Sequence, residues 1–164
     1  MKLKIYLLIV AILLLIKLTT NAQSNYTTYQ FLSEADDKAL TVKNGLLSFE
    51  NKKTGVGIYN QLFIMKRTNA GKVILVSASE EQLHLKRQSG SVILSTGTHD
   101  TNSEWEINYT GFPFITIAIP GSPLQTLRRQ GNNLVTTSFT PLTNNSDQAG
   151  NYARLKIHKV TNTF

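Results

Sequence analysis

Lys38-Ala39-Leu40-Thr41-Val42-Lys43-Asn44-Gly45-Leu46-Leu47-Ser48-Phe49 decides how this chain is read. Apolar residues alternate with polar ones up to Asn44-Gly45. That dipeptide suits a two-residue hairpin turn, because both central residues of such a turn need positive φ. The apolar pattern then resumes through Leu46, Leu47 and Phe49, so the segment predicts a β-hairpin with strands over 39–43 and 46–50. Ser89-Gly90 and Gly131-Asn132 sit at matching places further along, between similar runs. Three turn signals in one register point to an internal repeat.

Working outward, the chain beyond its first segment shows no helical periodicity. Twelve short apolar runs appear, at about 27–33, 39–43, 46–50, 61–67, 72–77, 82–87, 91–95, 103–109, 113–119, 123–128, 133–139 and 152–160, broken by Gly, Asn, Ser or Pro. They group as three units of four. The units close on Gln61-Leu62-Phe63-Ile64-Met65, Ser103-Glu104-Trp105-Glu106-Ile107 and Ala153-Arg154-Leu155-Lys156-Ile157. Leu40, Leu83 and Leu124 recur at steps of 43 and 41, and Phe63, Trp105 and Leu155 at steps of 42 and 50. The longer last step has a cause in Thr140 to Gly150, a strandless Pro/Asn/Ser/Asp/Gly stretch that reads as an enlarged surface loop. One four-stranded unit cannot bury its own apolar face, whereas three around an axis share one core and leave few open edges. The expected core is Phe31, Leu40, Phe63, Ile74, Leu83, Trp105, Ile117, Leu124 and Leu155, and the expected fold is an all-β, twelve-stranded β-trefoil.

The first segment stands apart. Lys2 and Lys4 precede an unbroken apolar run from Ile5 to Ile16, closed by Lys17. That run is shorter than the roughly 20 residues a spanning helix needs. It fits the core of a signal peptide, with Thr20-Asn21-Ala22 as the cleavage motif. The expected organisation is a signal over 1–22 and a single domain over 23–164, in a secreted or periplasmic protein with no membrane association after cleavage. Removing the signal takes three of the 17 basic residues and lowers the net charge from +7 to +4. Without a long basic block, such a balance does not predict nucleic-acid binding. The pairs Lys52-Lys53, Lys66-Arg67, Lys86-Arg87 and Arg128-Arg129 suit solvated strand ends, and a polyanion patch would require folding to bring distant clusters together. The chain has no cysteine, which excludes disulfides, thiolate metal sites and a cysteine nucleophile. Burial alone must hold the domain together.

With Tyr29-Gln30-Phe31, Lys38 to Val42, Asn44-Gly45 and Asn60-Gln61-Leu62-Phe63 in this order, the chain resembles the ricin-B-like β-trefoil superfamily. That resemblance implies carbohydrate binding. In the family an aspartate lies between two aliphatics of the second strand, and the positions that look equivalent here are Thr41, His84 and Gln125. The family stacks sugar on an aromatic after the third strand, a role open to Phe49 in unit one and, less closely, to Phe139 in unit three. The glutamine of the closing motif is Gln61, replaced by Ser103 and Ala153 in the other units. The resemblance therefore implies one partial ligand-binding site, formed by Phe49, Asn60 and Gln61 without a carboxylate. The alternative for Asn60 and Gln61 is a structural role, bonding backbone in the closing turn.

Signs of catalysis are missing from the sequence. It has no nucleophile elbow, phosphate loop or dinucleotide fingerprint, so no cofactor is expected. Most acids fall at predicted turns. His84 and His158, flanked by strand residues, are expected to face solvent by alternation. His99, Asp100 and Glu104 form one compact polar cluster, but their spacing matches no zinc motif. Asn25, Asn108 and Asn144 begin glycosylation acceptor patterns. The expected function is a secreted, non-catalytic binding module whose partner is a glycan. An inhibitor-type scaffold that engages an extracellular protein through the 140–150 loop is the alternative.

Overall fold

In the computed structural model, residues 26–55, 57–131, 133–138 and 153–160 are described. The segment read as a signal, Phe139, the 140–150 loop and the side chain of Leu124 lie outside the described residues. Asn44 and Gly45 adopt φ of 52° and 71°, and Ser89 and Gly90 adopt 50° and 82°. These are the paired positive values of a type I′ turn, whose twist matches that of the strands it joins.

Each turn connects two strands of an antiparallel hairpin: β2 (Ala39–Lys43) with β3 (Leu46–Glu50), β6 (His84–Gln88) with β7 (Ser91–Ser95), and β10 (Ser122–Gln130) with β11 (Asn133–Ser138). The remaining six strands are β1 (Thr28–Ser33), β4 (Phe63–Arg67), β5 (Val73–Ser77), β8 (Glu106–Tyr109), β9 (Phe114–Ile119) and β12 (Leu155–Val160). They form a closed ring. Adjacent units join through β4–β5, β8–β9 and β12–β1. Within units the contacts are β1–β4, β9–β12 and the isolated bridge Val73↔Trp105 beside β8. A six-stranded ring capped by three hairpins is the β-trefoil.

The register corrects one detail of the sequence alignment. Leu32↔Ala39, Val76↔His84 and Ala118↔Thr126 are equivalent pairs, each docking a hairpin onto its ring strand. Counting from them, the threefold counterparts of Leu40 are Leu85 and Leu127, not Leu83 and Leu124, and all three are fully buried. In unit two the slip is two residues, which keeps the same strand face and so escapes apolar alternation, and in unit three it is three, across the register irregularity of β10 between Ser122 and Thr126. By the same count Thr41 corresponds to Lys86 and Arg128, rather than to His84 and Gln125.

Phe31, Leu40, Phe63, Trp105, Ile117 and Leu155 meet in one core, with Leu75, Leu85, Ile115 and Leu127. The Phe31 and Phe63 rings lie 5.7 Å apart, and the Trp105 indole N–H donates to the Leu85 carbonyl at 3.3 Å. Leu83 lies at the margin of this core. Ile74 is buried too, but on the other face of β5, in a small cluster with Ile64 and Val76. Its neighbour Leu75 points into the ring.

A Cβ added at Gly45 or Gly90 meets no atom within 4 Å, so only the backbone resists it. Gly45→Ala and Gly90→Ala are each expected to cost about 1 kcal/mol, the penalty of the left-handed conformation. Ser89→Asn, placing a residue tolerant of that region, is expected to give a small gain. Urea unfolding with an unchanged m-value checks all three.

Candidate ligand-binding site

The closing position of each unit is inaccessible: Gln61, Ser103 and Ala153 all have 0% exposure. In unit one a single 3-10 turn, Ile58–Gln61, delivers Gln61 beneath the hairpin. Its carboxamide uses its full bonding capacity. Oε1 accepts from Gln30 Nε2 at 2.9 Å and from the Lys53 backbone N–H at 2.8 Å. Nε2 donates to Thr41 Oγ1 at 3.1 Å and to the Asn51 carbonyl at 2.9 Å. Two donors and two acceptors are all that a primary amide offers. Gln61 is therefore a clamp on the 51–53 segment, and no part of its amide remains for a ligand.

Phe49 is placed differently from an exposed stacking platform. It pairs with Leu40 across the hairpin and is only 4% exposed. The Arg129 guanidinium lies 5.7 Å from its ring centroid. Phe49 nevertheless lines a concavity of about 550 Å³ together with Lys38, Lys43, Glu50, Asn51, Lys52 and Lys53. The buried glutamine thus fixes one wall of a cleft in which the buried phenylalanine takes part. Asn60 is half-buried on the turn, and its neighbour Tyr59 exposes an aromatic ring at 40%. Sequence reading missed Tyr59, which no alternation or repeat singles out.

Unit two replaces the glutamine clamp with a chain of smaller groups. Ser103 Oγ donates to Asp100 Oδ1 at 3.1 Å and lies 3.0 Å from His84 Nε2. With its one proton directed at the carboxylate, the serine accepts from His84, which fixes the imidazole as the Nε2–H tautomer. His84 Nδ1 is buried without a partner. Asp100 also accepts from the Asn102 backbone N–H at 3.0 Å and from Lys86 Nζ at 2.6 Å. His84 is 1% exposed, contrary to the expectation that it faces solvent. It lies at the hairpin base, where the ring covers one strand face and the turn Thr101–Ser103 the other, as its counterparts Ala39 and Thr126 are also buried. His158 is exposed as expected. Burial, then the charges of His99 and Lys86, hold the His84 pKa below its ordinary value. The bonds from Lys86 and Ser103 hold the Asp100 carboxyl below the usual range. His99, Asp100 and Glu104 do not converge: among the described residues no group of three His, Asp or Glu side chains is placed to hold a metal.

A larger open cleft, about 760 Å³, lies between units two and three, with Lys86, Gln88, Ser95, Asn102, Gln125 and Thr136 among its lining residues. Asn102 is the threefold counterpart of Asn60. This cleft has no aromatic residue in its lining.

The architecture has many relatives among solved structures. The designed threefold-symmetric protein ThreeFoil matches with a TM-score of 0.62 at 17% identity, over 79% of this chain and 96% of that one. SeviL, solved with the asialo-GM1 saccharide, gives 0.63 at 12% identity over 82% and 98%. The C-half of the earthworm R-type lectin, solved with GalNAc, gives 0.60 at 13% identity over 82% and 99%. Solved glycosidases also match, this chain spanning 30–32% of their length. No family model and no curated protein matches the chain. At these identities the likeness concerns the fold: this chain is a β-trefoil, similar in architecture to ThreeFoil, SeviL and the earthworm R-type lectin.

Gln61→Ala leaves two buried acceptors and two buried donors unpaired and is expected to cost about 3 kcal/mol in urea unfolding. His84 gives a pH signature. Its folded pKa lies below the ordinary value of 6.5, so the unfolded chain binds the extra proton. Stability is expected to fall as pH drops below about 6.5, before carboxylates begin to protonate. His84→Gln, which keeps a donor toward Ser103, is expected to flatten that part of the stability–pH curve.

Proposed function

We propose that this protein is an exported, non-catalytic carbohydrate-binding module whose glycan site lies in unit one. The reading is carried by the Gln61 clamp: a fully saturated buried amide holds the 51–53 backbone beside Phe49, so the cleft wall is in place before any ligand arrives. Preorganisation of this kind lowers the ordering cost of binding. The lectins among the solved relatives support the choice of a glycan. In this reading Gln61 positions the site, Phe49 contributes apolar surface at its floor, and Asn51 and Asn60 offer side-chain amides for sugar hydroxyls. The leader-like first segment, with its basic start and short apolar run, supports export.

The acids support a module without catalysis. Glu34, Asp36, Asp37, Glu50, Asp100 and Glu106 are each engaged by a lysine or arginine. Of these, Asp36 and Asp100 have pKa values held below the ordinary carboxylate value. A general acid needs the opposite shift.

A glycan array probed with the purified protein tests the proposal. Phe49→Ala removes core volume, so a loss of binding in that variant would not separate site from stability. Asn51→Ala is the sharper variant. It is expected to weaken retention on the recognised glycan about fivefold or more with the melting temperature unchanged, the scale of one lost hydrogen bond. Loss in Asn102→Ala instead would move the site to the cleft between units two and three. No retention on any glycan would contradict the carbohydrate reading.

A further inference from the structure

We infer that the unit-one cleft recognises an anionic group on its glycan, a sulfate ester or a sugar carboxylate. The inference rests on the proposed glycan site and adds the chemistry of its ligand.

The observation is a local imbalance of charge. Lys38, Lys43, Lys52 and Lys53 all line the cleft, and Glu50 is the one acid in its wall. Lys43 and Lys53 approach Glu50 from two sides, at 3.8 and 3.6 Å. Lys38 lies 3.7 Å from Asp36, a carboxylate that also receives the Arg129 guanidinium. Lys52 is exposed and has no ion pair among the described residues. Lys38, Lys43, Lys53 and Arg129 thus share two carboxylates, and Lys52 adds a further positive charge. The other ion pairs are one to one, among them Lys72 with Glu106, Lys86 with Asp100 at 2.6 Å and Lys156 with Asp37 at 2.7 Å, and the larger cleft between units two and three carries two cations, Lys86 and Arg87, against the four lysines here.

Sequence places these lysines in three segments, and the fold gathers them. Lys38 precedes β2, Lys43 ends it, and Lys52 and Lys53 follow β3. Excess positive charge inside a concavity focuses the field and draws in anions. The backbone carrying Lys52 and Lys53 is held by Gln61, so the cations project from a fixed wall. An ammonium on a flexible stem suits a point-like anion such as sulfate or carboxylate. Nucleic acid fits less well, because single strands bind by stacking bases on exposed aromatic faces. Phe49 is covered and presents no such face.

The test is isothermal titration of the full protein with four probes of matched length: a sulfated chondroitin oligosaccharide, its desulfated uronate form, a neutral galactose oligosaccharide and a single-stranded oligonucleotide. The sulfated probe is expected to bind most tightly if sulfate is the group, and the two chondroitin forms to bind alike if carboxylate is. In either case raising the salt weakens binding. Lys43→Gln/Lys52→Gln/Lys53→Gln is expected to lose roughly tenfold in affinity, from three exposed contacts of modest strength each. The triple variant should melt like the parent, and Lys156→Gln should bind like it. Neutral and anionic sugars bound equally and without salt dependence would overturn the inference while leaving the glycan reading standing. Tightest binding to the oligonucleotide would overturn it in favour of nucleic acid. Silence toward all sugars would overturn both.

Discussion

Antiparallel pairing of β1 with β12, from Thr28↔Val160 to Ser33↔Leu155, is the contact on which the rest of the molecule depends. It joins the first and last described strands and turns three sequential units into a ring. Without it, two strands would carry unpaired edges and the core would be open on one side. With it, Phe31 from unit one meets Leu155 from unit three, and the hairpins are held over one shared apolar centre. No disulfide assists, since the chain has no cysteine. A domain of this size can reach stability by burial alone.

The three units solve one local problem in different ways. At each closing turn a buried residue must occupy the space beneath the hairpin. Unit one fills it with a carboxamide that satisfies four groups at once. Unit two uses a serine bridging an imidazole and a carboxylate, and unit three has Ala153, with no polar group to satisfy. The first solution fixes the outer segment at 51–53, which forms one wall of the lysine-lined cleft. The second uses its carboxylate internally: Asp100 receives Lys86, and that lysine is neutralised. Architecture is shared between the units, while the polar groups at their closing turns are not.

Much of the fold was legible in the sequence, because turns and faces are local properties. Asn44-Gly45 and Ser89-Gly90 announce their hairpins through the φ values they permit. The aromatic and aliphatic residues closing each unit announce the ring. A two-residue slip was not legible, since Leu83 and Leu85 lie on the same strand face. Nor was the burial of His84, because alternation assumes that one face meets water and the hairpin base has both faces covered. Phe49 read as a sugar platform because the chain gives no sign that Arg129, 80 residues away, will lie over its ring. Gln61 was legible as a residue of consequence, but its role needed the positions of four partners. The gathering of Lys38, Lys43, Lys52 and Lys53 depends on a hairpin returning the chain beside its own start.

The proposed function puts the glycan against the wall fixed by Gln61, and amide-resolved NMR during titration with a sulfated oligosaccharide is the decisive measurement. Shifts are expected to concentrate at Asn51, Lys52 and Lys53, with the side-chain amide of Gln61 moving while its hydrogen bonds persist. Shifts clustered at Asn102, Gln125 and Thr136 instead, with the 51–53 segment silent, would contradict it.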